Sequence, residues 1–123
     1  MKDKYVEIYI SKANDNYRLY KFLKDSNDFE SWQIVAIFYS ALCRAKAYLY
    51  FKGFPKNTIN SHLDIKKLLT MEKDAKLANV IFYYEKLYND SRDARYSIKK
   101  ITNGRIQKAL ENYEKVFELL PIN

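Results

Sequence analysis

Histidine and cysteine occur once each, and glycine and proline twice each, in a chain of 123 residues. One thiol, Cys43, can neither close an intrachain disulfide nor build a cysteine-based zinc site. A single histidine, His62, excludes a multi-histidine metal centre. No Glu-x-x-His pair of the kind that builds carboxylate-bridged metal sites in helical bundles is present. HExxH, GxxxxGKS/T, GxSxG and CxxC are also missing, which removes zinc-protease, P-loop, hydrolase-elbow and dithiol chemistry. The expectation is a protein without metal or cofactor. The start, MKDKYVEIYI, is charged and has no signal-peptide apolar stretch. No apolar run is read as long enough to span a bilayer. The expected setting is therefore the reducing cytoplasm, with no membrane partner.

So few turn formers exclude a β-rich fold, which needs frequent Gly, Pro or Asn turns. What is abundant instead is Leu, Ala, Lys, Glu and Tyr. Apolar residues make up 48% and aromatics 16%, enough to drive collapse and to argue against disorder. The length fits one domain, 1–123, with a real core. No repeat, low-complexity tract or linker interrupts it.

Periodicity predicts five helices. The first spans about Lys4 to Lys24, with a broad apolar face of Ile8, Ile10, Ala13, Tyr17, Tyr20 and Phe22. "DSNDFES", residues 25–31, follows as a polar connection offering Asp28 and Ser31 as N-caps. The second, about Phe29 to Lys52, is apolar nearly all round and so belongs at the centre of a bundle. Trp32 reads as a core anchor near its start and Cys43 as a small core residue. Gly53 and Pro55 stop this helix. A short third helix runs from about Ser61 to Leu69, capped by Asn60 or Ser61. The fourth runs from about Lys73 into Arg92–Tyr96, with Leu77, Val80, Ile81, Tyr84, Leu87, Tyr88 and Ser91 on one stripe. The last, about Gly104 to Leu120, is capped by Thr102 or Asn103 and ended by Pro121. Long helices and short connections imply an all-α, up-and-down antiparallel bundle.

Lys and Arg exceed Asp and Glu by 22 to 15, a net charge of +7. That favours an anionic partner, nucleic acid first; a generally lysine-rich surface is the alternative. The densest chemistry lies in "NDSRDARY", residues 89–96. Tyr84, Tyr88 and Arg92 are spaced by four and share a helix face, which Tyr96 extends by a turn. Such a ridge is either core plus ion pairs or a phosphate site flanked by stacking rings, because the guanidinium fork of Arg92 or Arg95 matches phosphate. Asp90 and Asp93 each have an arginine neighbour, a pattern of local charge pairing rather than metal binding. His62 is either a half-buried residue near a helix cap or a proton-transfer group.

The order of segments resembles the HEPN domain family of small bacterial and archaeal helical proteins. The resemblance is carried by "SKANDNYRLYKFL", by "SWQIVAIFYSALCRAKAYLYFKGFPKNTINSH" and by "YYEKLYNDSRDARY". Within these, Phe38–Leu42, Lys52–Gly53, His62, Arg92 and Ala94–Tyr96 match the family pattern, over nearly the whole chain. The resemblance implies a bundle of four to five helices, usually a homodimer. It also implies metal-independent ribonuclease activity in catalytic members, which pair an arginine with a polar residue and, after a short spacer, a histidine. Here Arg92 and Asp93 fit the phosphate-holding and orienting positions, but Tyr96 or Ser97 stands where the histidine would be. The expectation is a retained cleft with weak or lost chemistry. It binds RNA, or a partner protein, through Tyr88, Arg92, Asp93, Arg95 and Tyr96. A toxin–antitoxin or defence setting beside a nucleotidyltransferase-type partner is implied in the same way. The alternatives are an active endoribonuclease using His62, Arg92 and Tyr96, which requires the third helix to pack over the end of the fourth, and a purely structural helical module.

Overall fold

A computed structural model of the chain describes residues 3–26, 28–72, 74–98 and 100–122. Among these the architecture is all-helical, with α1 (Lys4–Asp25), α2 (Glu30–Phe51), α3 (His62–Met71), α4 (Ala75–Tyr96) and α5 (Asn103–Leu119). A single 3-10 turn, Lys56–Thr58, separates α2 from α3. The start expected at Lys73 lies outside the described residues.

Local chemistry sets most of the boundaries. Asp3, Ser61, Asp74 and Thr102 each accept a backbone N–H of the first turn of α1, α3, α4 and α5. Each such cap contributes about 1 kcal/mol. The α2 exit is a Schellman turn: Gly53 donates its N–H to the Tyr50 carbonyl and Phe54 to that of Leu49. Gly53 carries φ of 101°, a conformation that its missing Cβ permits. The α2 entry departs from expectation. Neither Asp28 nor Ser31 caps it; Phe29 occupies the cap position with φ of 60°, and the Asp28 carboxylate accepts the Phe29 N–H instead.

Helix α2 is central. Fourteen of its 22 residues are buried, and it packs against each of the other four helices. Its small residues explain how close they come. Ser40, Ala41 and Ala45 are fully buried, and the Ser40 hydroxyl reaches the Ala13 carbonyl of α1 at 2.7 Å. Its one proton is used there, so its lone pair accepts the Tyr113 O–H of α5 at 2.8 Å. One serine thus ties three helices. At the other end of α2, Tyr5 and Tyr9 of α1 pack on Tyr50.

Two residues read as core face outward. Trp32 is 61% exposed and Phe22 71% exposed. Phe22 lies two positions, about 200° round α1, from the buried Tyr20 and so points away from the core, and Trp32 sits in the first turn of α2. The bilayer expectation also changes. Glu30–Phe51 is long and apolar enough to cross a membrane, but its most apolar stretch is 72% buried within the bundle. Cys43 is buried, as its apolar surroundings in the sequence suggest.

Candidate phosphate and base groove

The N-terminus of α3 packs onto the middle of α4. Ser61 caps α3 and accepts the Asp64 N–H, while the Asp64 carboxylate accepts the Asn60 N–H. This reciprocal pair fixes His62 at the first helical position. There its imidazole lies flat on the Tyr88 ring, with centroids 3.7 Å apart and planes 6° apart. Tyr84 and Phe38 complete the aromatic surround. Glu85 of α4 holds the histidine from the side: its Oε1 lies 3.2 Å from His62 Nε2 and 2.8 Å from Lys66 Nζ.

That geometry fixes the state of the ring. A carboxylate only accepts, so Nε2 carries the proton and Nδ1 is left with a bare lone pair. Burial pushes the imidazole below its ordinary pKa, with Glu85 opposing, so the neutral form is favoured. Nδ1 is itself buried and meets no partner among the described residues.

His62, Tyr88, Arg92, Arg95 and Tyr96 all line one open groove of about 620 Å³, with Phe38, Tyr39 and Leu42 of α2 as its opposite wall. The structure thus brings together residues 20 or more positions apart in the chain, from α2, α3 and α4. Tyr39 and Leu42 are half-buried because this groove opens over them. Tyr96 is 73% exposed. The guanidinium of Arg92 lies 6.0 Å from the Tyr88 ring centroid, and that of Arg95 lies 5.1 Å from the Tyr96 ring.

The acidic residues pair differently from the local pattern read in the sequence. Arg105, at the start of α5, donates through Nε (2.9 Å) and Nη2 (2.8 Å) to Asp90 Oδ1, and through Nη2 (2.6 Å) to Asp93 Oδ2. The two carboxylates thus share a partner 12 to 15 positions away in the chain, Arg105. Among the described residues neither Arg92 nor Arg95 makes an ion pair. Asp93 borders a second depression of about 400 Å³, together with Arg92, Tyr96 and Ser97. Sequence reading missed Glu85 and Arg105. Both act across helices, and no local spacing reveals such a partner.

Among the described residues no three His, Cys, Asp or Glu side chains converge as metal ligands. The Cys43 thiol is pushed up by burial, so it is a packing residue and a poor nucleophile. The chain matches no family model, no curated protein and no solved structure.

Proposed function

We propose that the protein binds single-stranded RNA in the groove between α2, α3 and α4, with chemistry there weak or lost. The observation that carries this reading is the pair Arg92 and Arg95, without carboxylate partners among the described residues, set among the rings of Tyr88 and Tyr96. Unpaired RNA is recognised by such a combination: arginines hold phosphates while aromatic faces stack bases. Arg105 supports it by occupying the carboxylates that would otherwise compete for the two arginines. The net charge of +7 acts in the same direction at longer range.

Weak or lost catalysis is supported by His62. Its one nitrogen free to take a proton is buried under the ring stack, while the other is held by Glu85. The competing endoribonuclease reading is favoured by that same Glu85–His62 pair, since a carboxylate orienting an imidazole is a common acid–base arrangement. It requires the ring to leave Tyr88 before Nδ1 reaches a 2′-hydroxyl. An up-and-down bundle is supported by the packing of Tyr5, near the start of α1, on Tyr50, near the end of α2; its HEPN likeness rests on the sequence resemblance. The homodimer, the nucleotidyltransferase-type partner and the cytoplasmic toxin–antitoxin setting rest on the sequence resemblance alone.

The test is binding and cleavage of labelled RNA oligonucleotides without metal, for wild type, Arg92→Ala and His62→Ala. Binding without cleavage, weakened by Arg92→Ala, is expected. Cleavage lost in both variants would establish the endoribonuclease instead. No binding at all would remove both readings and leave a structural module.

A further inference from the structure

Resting on the RNA-binding reading above, we propose that the strand continues past the groove onto Trp32, which stacks a further base. Trp32 is the chain's only tryptophan, and 61% of it is exposed. It lines a separate depression of about 320 Å³ with Val35 of α2 and with Ala94, Arg95 and Tyr96 of α4. Arg95 and Tyr96 also line the 620 Å³ groove, so the two depressions share a wall. Arg92 and Tyr96 extend the same surface into the 400 Å³ depression. Three depressions thus meet at Tyr96.

The order of groups along this surface sets the occupant. Two cations lie among three rings: Tyr88 with Arg92, then Arg95 with Tyr96, then Trp32. The face of Tyr88 toward His62 is already covered, so the most accessible rings on the path are Tyr96 and Trp32. An apolar protein partner would be served by Trp32 and Val35 but would have to desolvate two arginines. A single strand uses both kinds of group, since every base has a face to stack and every link a phosphate. Double-stranded RNA hides its base faces and does not fit.

Because Trp32 is the only tryptophan, its emission reports directly on this contact. The experiment titrates the full chain with oligoadenylates of two to six nucleotides. It follows tryptophan emission and, in parallel, the anisotropy of an end-labelled strand. Quenching that saturates together with the anisotropy is expected, for strands long enough to reach from Arg92 to Trp32. Trp32→Ala should weaken binding by about tenfold, the loss of one stacked base, while Trp32→Phe retains most of it. Emission unchanged by bound RNA, with Arg92→Ala still weakening it, would overturn Trp32's role and leave the groove reading standing. Trp32→Ala converting a dimer to a monomer by light scattering, with RNA affinity intact, would overturn it in favour of a subunit contact. No strand bound by any form would overturn the groove reading and this inference together.

Discussion

The His62 imidazole rests on the Tyr88 phenol ring with planes 6° apart, and Glu85 fixes its edge. This contact joins α3 to α4 and forms the floor of the groove. It also makes stability depend on pH. Burial lowers the folded-state pKa of His62 below its ordinary 6.5. The unfolded chain therefore binds more protons at mildly acidic pH, and stability rises with pH across that window. Stability should fall as the pH drops from 7 through 6.5 toward the lowered folded pKa. His62→Gln should flatten that part of the curve. Thermal melts of both proteins at stepped pH check this; parallel curves would contradict it.

Arg105 links the start of α5 to the end of α4 through two carboxylates. All three side chains are partly exposed, so the pairing is screened, and Arg105→Ala should destabilise by only about 1 kcal/mol. Its larger effect should be on binding. The Asp90 carboxylate, released from Arg105, would compete with phosphate for the nearby arginines, and RNA affinity should drop several-fold at low salt. Denaturant titration and RNA titration of the same variant separate the two effects.

Ser40 satisfies two buried oxygens at once. Ser40→Ala leaves the Tyr113 hydroxyl, whose pKa burial has pushed up to about 12, without this partner, and leaves the Ala13 carbonyl with only its helical N–H. A loss of about 1–3 kcal/mol is expected by urea denaturation. Tyr113→Phe should cost less, because Ser40 keeps Ala13.

Phe29 takes a left-handed conformation that disfavours any residue with a Cβ. About half of its side chain is still covered, so Phe29→Gly trades relief of this strain against lost packing and a looser unfolded chain, and the melting temperature should move little.

How far the sequence exposes this structure varies with the range of the interaction. Helix ends were legible where a cap lies within three residues, as at Ser61, Thr102 and Gly53. The entry to α2 was not, because Phe29 carries no capping side chain and the turn is set by backbone geometry. Periodicity identified the buried stripe of α4 but misplaced Phe22, because the apolar face drawn on α1 is broader than the stripe of Val6, Ala13 and Tyr20 that is buried, and Trp32, which sits in the first turn of α2. Arg92, Arg95 and Tyr96 stood out in "NDSRDARY". Their meeting with His62 depends on α3 folding back over α4, which no local pattern encodes. Glu85 and Arg105 were invisible for the same reason.

The central claim is that Arg92 holds an RNA phosphate in the groove. The most direct test is the salt dependence of RNA affinity for wild type and Arg92→Ala. Plotted logarithmically, wild-type affinity should fall with rising salt at about 0.7 per phosphate neutralised on a single strand. Arg92→Ala should bind more weakly at low salt and lose about one phosphate's worth of that slope. Equal affinities and equal slopes would contradict the account.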